Sequence, residues 1–263
     1  MRCSVIIVNY NSKTYLEKCL ESIEDQLVRN KRSSNSFEFE VIIVNNDKQS
    51  LLLENSHSFD LHIINNEKNE GFGKAHNIGI SHAQGKYIFL LNPDTLLQDS
   101  SLIYLTDQLD KHSDIGIIGP KIIEYKRKQP QPWTCGAKTN LLNIIFRNTL
   151  NKPWNKKHPV NVDWVSGTAL LMRKALFEKV GGFDENFFMY FEDQDLCLHV
   201  KQQGKTIIFY PYASIIHFDG KSWNNHSKKK AVFYRSQAYF FTKHHNSIQI
   251  FFLKFLRVLM KGG

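Results

Sequence analysis

The sequence predicts an α/β fold, a mainly parallel central sheet with helices on both faces, and three observations carry the prediction. Runs such as Ser4-Val5-Ile6-Ile7-Val8, Val41-Ile42-Ile43-Val44 and Tyr87-Ile88-Phe89-Leu90-Leu91 are apolar on both faces, as strands covered on both sides must be. They alternate with segments whose apolar residues recur at helical spacing. Each run stops in a polar, turn-forming loop, Asn9-Tyr10-Asn11, Asn45-Asn46-Asp47 or Asn92-Pro93-Asp94-Thr95, which gathers polar groups at the sheet edge where such folds bind ligands.

Taken in order, the first strand passes through the Asn9 loop and the capping residue Ser12 into a helix over residues 13–26, whose Tyr15, Leu16, Cys19, Leu20 and Ile23 share one face. A polar stretch over 29–36 leads to the second strand, and a third, Leu61-His62-Ile63-Ile64, ends in Asn65-Asn66. Gly71-Phe72-Gly73 opens a short helix over 74–82; the strand ending at Asp94 follows, then a helix near 101–111 and a strand at 115–118. Residues 124–162 hold four of the seven prolines, basic residues, Trp133 and Trp154, with no sustained period, which marks a long functional insertion. Order resumes with a strand over 164–172, a helix over 174–180 stopped by Gly181-Gly182, and the aromatic run Phe187-Phe188-Met189-Tyr190-Phe191. A helix over about 193–203 closed by Gly204 and strands at 206–210 and 214–217 complete the pattern.

With 42% hydrophobic residues the chain can bury a large core, which excludes a disordered protein. A formal charge of +9 favours polyanions, anionic lipid or phosphorylated small molecules as partners. Cys3, Cys19, Cys135 and Cys197 form no C-x-x-C pair and no basic-then-apolar leader is visible, so a reducing, cytoplasmic setting is expected. No window is apolar enough to span a bilayer; residues 248–260, with Lys254 and Arg257 interspersed, suit a membrane surface instead.

Asp94 ends a doubly buried strand, Glu192-Asp193-Gln194-Asp195 opens a helix, and His217 closes the strand Ser214-Ile215-Ile216. Two carboxylate sites and an imidazole suit metal-assisted chemistry. Each also has a plainer reading: a turn, acids capping a helix, and a hydrogen-bonded strand-end histidine. Gly71-Phe72-Gly73 follows a strand and opens a helix, but His76 takes the third glycine's place in a dinucleotide fingerprint. Its glycines therefore suit close approach to a phosphate or sugar rather than NAD or FAD.

Five stretches resemble, in order and spacing, the family-2 glycosyltransferases with the GT-A fold, especially their bacterial rhamnosyltransferase-like branch. They are Ser4 through Asn11, Asn69-Glu70-Gly71-Phe72-Gly73 through Gly79, Leu91-Asn92-Pro93-Asp94-Thr95, Val165-Ser166-Gly167-Thr168-Ala169 through Glu185, and Phe188-Met189-Tyr190-Phe191-Glu192-Asp193 through Leu198. The likeness spans about residues 3–220. It implies a Rossmann-like GT-A domain over 1–225 with a C-terminal helical extension over 226–263. It also implies inverting transfer of rhamnose or another hexose from a dTDP- or UDP-sugar to a hydroxyl of a cell-surface glycan or lipid-linked precursor, assisted by Mg²⁺ or Mn²⁺. By the same resemblance Asp94 and His217 hold the metal, Asp193 is the catalytic base and Glu192 supports the acceptor side. Val8, Asn9, Tyr10, Asn45, Asp47, Gly73, Asn77, Asn92 and Pro93 would bind the nucleotide-sugar donor.

Two departures stand out: Asn92 replaces the first carboxylate of the family's D-x-D motif, and Asn45 the aspartate of its V-D-N, leaving Asp47 as a substitute. Residues 129–158 and 164–168 are assigned to the acceptor, with Trp133 and Trp154 stacking on sugars. The implied partners are a glycan or polyprenyl-diphosphate-linked acceptor and no nucleic acid. The tail is expected either to attach peripherally to the inner face of the cell membrane or to pack on the domain or a homodimer partner. A nucleotide-sugar-binding subunit without turnover is the alternative. A nicotinamide-dependent epimerase would need an early glycine fingerprint and a Tyr-x-x-x-Lys pair.

Overall fold

A computed structural model describes residues 2–30, 37–53, 57–146, 152–218 and 226–259. Its first half realises the expected alternation as β1 (Arg2–Asn9), α1 (Lys13–Asn30), β2 (Glu38–Asn45), β3 (Asp60–Asn65), α2 (Phe72–His82) and β4 (Tyr87–Leu91). Next come β5 (Thr95–Leu97), α3 (Ser101–Lys111), β6 (Ile115–Glu124), β7 (Cys135–Gly136), α4 (Leu141–Phe146) and β8 (Val160–Val162). The chain closes with β9 (Trp164–Val165), β10 (Ala169–Arg173), α5 (Lys174–Lys179), α6 (Glu192–Gln202), β11 (Thr206–His217), α7 (His226–His244) and α8 (Ser247–Leu259).

One nine-stranded sheet runs in the order β3-β2-β1-β4-β10-β6-β11-β5, with β8 also on β11. Strands β3, β2, β1 and β4 are mutually parallel, and β6 and β11 share their direction across the antiparallel β10. Alternation along each strand sends successive side chains to opposite faces. Val5, Ile7, Val41, Ile43 and Phe89 thus meet Leu16, Leu20 and Ile23 of α1 and Leu102, Leu105 and Leu109 of α3. Ile6, Ile42, Ile88 and Leu90 meet Ile80 of α2, Leu176 of α5 and Leu196 and Val200 of α6. A third cluster joins Phe187 and Phe191 to Phe240 and Phe241 of α7 and Leu253 of α8, so the tail is packed on the domain through one face.

Several boundaries differ from expectation. The strand over 164–172 breaks at Ser166-Gly167-Thr168, and the two strands over 206–217 are one, with a register shift between Tyr210 and Ser214. Pro211 lies in that shift, where its missing N–H costs no ladder bond. Helix α6 starts one residue early, capped by Phe191, so Asp193 is its second residue. Within the insertion β7, α4 and β8 form, and Trp154 is buried in the second cluster, so its ring cannot stack on an acceptor as expected. The expected polar stretch at 31–36, part of the insertion at 147–151, the turn at Asp219-Gly220, and Met260 and Lys261 lie outside the described residues.

Candidate active site

Parallel register brings the ends of three strands level, Asn9 beside Asn45 and Asn45 beside Asn65. The asparagines then satisfy one another: Asn9 Nδ2 donates to Asn45 Oδ1 at 2.8 Å, and Asn45 Nδ2 to Asn65 Oδ1 at 2.9 Å. Asp47 accepts from Asn9 Nδ2 at 3.0 Å and from the Asn11 N–H, which holds the β1–α1 loop closed over the edge. Asn45 and Asp47 are therefore at the expected edge, but their carboxylate and amide groups already brace it. Val8 and Tyr10 sit half-buried beside them.

At the neighbouring strand ends, Thr95 of β5 pairs with His217 of β11, and this register places Asp94 against the imidazole. His217 Nε2 lies 3.2 Å from Asp94 Oδ1, and both side chains are buried. Its Nδ1 faces Gln131 Oε1 at 2.8 Å, a partner supplied by the insertion. An amide oxygen there fixes the proton on Nδ1 and leaves Nε2 to share a cation with the carboxylate. One carboxylate plus one imidazole is a donor set that fits Mn²⁺ or Mg²⁺ when substrate phosphates complete the shell. Glu40, Asp60 and His62 also cluster, but at the opposite end of β2 and β3, where Glu40 binds Ser4 Oγ and the Gln84 N–H.

The acidic pair is delivered by a strained turn. Tyr190 and Phe191 both have φ of 72°, a left-handed conformation that costs an aromatic residue about 1–3 kcal/mol. Packing of Phe191 on Phe233 and Phe240 of α7 holds it there. The turn sets Glu192 beside the Gly71-Phe72-Gly73 loop. Phe72 N–H donates to Phe188 O at 2.8 Å, and Gly71, at φ +87°, admits no Cβ because one would lie 2.5 Å from that oxygen. Asp193 accepts the Gly167 N–H at 3.0 Å on Oδ2 and the Gln194 N–H at 2.8 Å on Oδ1. Burial pushes its carboxyl up, against the pull of these N–H groups. Glu192 is buried with Oε2 unpartnered; burial and the neighbouring Asp193 charge hold its carboxyl well above the usual range.

The turn at Ser166-Gly167-Thr168 joins the two halves of the site, since Thr168 O accepts the Asn92 N–H at 2.9 Å while Gly167 holds Asp193. The resemblance assigned Asp94, His217, Glu192, Asp193, Asn92 and Pro93 to one site, and the structure links Asp94 to His217, Asn92 to Thr168 and Asp193 to Gly167 at one edge. Gly73 is also there: a Cβ added to it would lie 3.8 Å from that of Glu192 and 3.0 Å from that of Phe183. The Asn77 amide is instead engaged by Phe183, accepting its N–H at 3.0 Å and donating to its carbonyl at 2.9 Å. Gln131 and Gly167 were expected only within the acceptor segments, and their contacts to His217 and Asp193 were not; the former sits in an aperiodic segment and gives no sequence signal.

The chain matches Glycosyl transferase family 2 over residues 4–181, a span that holds Asp94 and stops short of Asp193 and His217. It is 29% identical to rhamnosyltransferase WbbL of Escherichia coli K12 over 229 residues, 81% of this chain and 82% of that protein. It is 28% identical over 180 residues to the N-acetylglucosaminyl-diphospho-decaprenol L-rhamnosyltransferase of Mycobacterium tuberculosis H37Rv, covering 63% of this chain and 54% of that one. The fold is shared with S. aureus TarS bound to UDP-GlcNAc, at a TM-score of 0.55 and 21% identity over 84% of this chain and 60% of that one. The mannosyltransferase PcManGT of Pyrobaculum calidifontis, whose structure holds GDP-Man and Mn²⁺, aligns with a TM-score of 0.55 at 17% identity, over 84% of this chain and 57% of that one. With its strand order and this match over most of its length, the chain belongs to glycosyl transferase family 2 and has the GT-A fold.

Proposed function

We propose that the protein transfers a sugar, rhamnose or a related hexose, from a dTDP- or UDP-sugar to a hydroxyl of a glycan or polyprenyl-diphosphate-linked precursor, with inversion. The observation that supports this best is the pairing of two chemistries on one edge: Asp94 with His217, and Asp193 with Glu192, linked through the 166–168 turn. The nucleotide would lie along Val8, Asn9, Tyr10, Asn45 and Asp47, with backbone at Gly73, Asn92 and Pro93 near the diphosphate. A Mg²⁺ or Mn²⁺ ion held by Asp94 and His217 would neutralise charge on the departing diphosphate.

Asp193 accepts the proton of the acceptor hydroxyl as that oxygen attacks the anomeric carbon opposite the diphosphate. Its raised affinity for a proton makes it a better base than an exposed carboxylate, while Gly167 and Gln194 hold its oxygens in place. Glu192, neutral and buried, presents an O–H toward the acceptor side. The enzyme would work as a peripheral protein on the inner face of the cell membrane, where a lipid-linked acceptor is held. A panel of radiolabelled nucleotide sugars with and without Mn²⁺ tests the reading: one donor should yield metal-stimulated release of nucleoside diphosphate. Tight donor binding with no release from any donor would instead favour a subunit that binds nucleotide sugars without turnover.

A further inference from the structure

Helix α8 is apolar on two sides. Ile250 and Leu253 face the domain, whereas Ile248, Phe251, Phe252 and Phe255, spaced as one helical stripe, face outward. Ile248 and Phe251 are each 66% exposed. Helix α4 of the insertion lies against α8 and adds Leu142 and Ile145, both exposed, to the same neighbourhood. A patch of this chemistry marks an interaction surface.

Charge identifies the occupant. Residues 125–162 and 226–263 carry eight Lys or Arg each and no Asp or Glu, while the rest of the chain sets 18 Lys and Arg against all 25 acids, a net charge of −7. Both acid-free segments are those that build the patch. Lys254 is exposed within the α8 stripe, and Lys228 and Lys230 are exposed at the start of α7. A second copy docking here would bring two wholly cationic rims together, whereas an anionic surface neutralises them.

We propose that the α4–α8 face docks on an anionic lipid bilayer, with the four α8 side chains and Leu142 and Ile145 entering the headgroup boundary. Docking would orient the site, because the face is tied to the catalytic helix. His245 Nε2 bonds Thr139 O at 2.9 Å, Thr139 Oγ1 bonds Gln194 of α6, and Lys243 bridges Asp184 and Asp195 at 2.7 and 2.9 Å. The surface deepens the proposed transfer to a lipid-linked acceptor, yet lipid binding is measured without substrates, so either idea fails separately.

The full chain should sediment with phosphatidylglycerol vesicles and not with phosphatidylcholine vesicles, and high salt should weaken it. Phe251→Gln/Phe255→Gln should lower vesicle affinity at least about tenfold and Lys254→Glu about fivefold, with transfer to a water-soluble acceptor unchanged. Leu142→Gln/Ile145→Gln on α4 should weaken binding likewise. Absence of wild-type binding, equal binding by the variants, or a wild-type dimer that Phe251→Gln/Phe255→Gln dissociates without any lipid binding would overturn the proposal.

Discussion

Replacing Asp193 with asparagine keeps the shape of the side chain and removes the charge that accepts a proton. The carboxylate uses both oxygens, Oδ2 for the Gly167 N–H and Oδ1 for the Gln194 N–H. An amide has one acceptor oxygen, so one backbone N–H must face an NH₂ group at a cost of about 1–3 kcal/mol. Loss of a charge whose burial is already unfavourable offsets part of this. At roughly 2–4 °C per kcal/mol for a chain of this size, Tm should fall by no more than about 10 °C, and the variant stays folded. Transfer should slow by about 10² to 10⁴, or about 3–5 kcal/mol in activation free energy, while donor affinity holds. Single-turnover product formation with labelled donor, beside calorimetric donor binding, reads both quantities. The wild-type acid limb of kcat/KM should also lie above the ordinary carboxylate range of about 3.9, and Asp193→Asn should lose that limb. Near-normal turnover, or a loss of donor affinity matching the loss of rate, would refute the base assignment.

Asp94→Ala should abolish stimulation by Mn²⁺ and weaken donor binding, because the diphosphate loses its counter-charge; an unchanged metal response in a donor titration would move the ion elsewhere. Glu192 keeps a proton in the folded state that the unfolded chain releases near pH 4.3, so stability should decline as pH rises from there toward the raised folded value. Glu192→Gln should flatten that decline and raise Tm by a few degrees near pH 7, and an unaltered slope of Tm against pH would exclude a protonated Glu192. Trp154→Ala, at a buried position, should destabilise the fold by about 3–5 kcal/mol in urea titration. Trp133→Ala should instead raise the acceptor KM more than the donor KM, and equal rises would remove Trp133 from acceptor recognition.

The strands were legible because continuous apolar runs such as Tyr87-Ile88-Phe89-Leu90-Leu91 have no alternative to double burial. The direction of β10 was not, since Ala169-Leu170-Leu171-Met172 reads the same in either sense and only the Ser166-Gly167-Thr168 turn reverses it. Asp94 and His217 could be paired only through the family resemblance, since a strand-end histidine read by itself is as well a hydrogen-bonded structural residue. Gln131 was invisible, 86 residues from His217 in a segment with no period. The left-handed Tyr190 and Phe191 carried no glycine to announce them. Asp195 read as one more acid of a catalytic cluster, yet its carboxylate is buried against Lys243 and His244 of α7.

That strained turn has a consequence for inheritance. Phe233 and Phe240 press on Tyr190 and Phe191, so the aim of Asp193 and the C-terminal hairpin are coupled. A chimera that exchanges the hairpin for that of a relative should change the aim of Asp193 as well, whereas the asparagine edge of β1 to β3 reaches the turn only through Asn46, Gly71 and Phe72. On the proposed roles, donor preference drifts more freely than acceptor preference, which travels with its anchor.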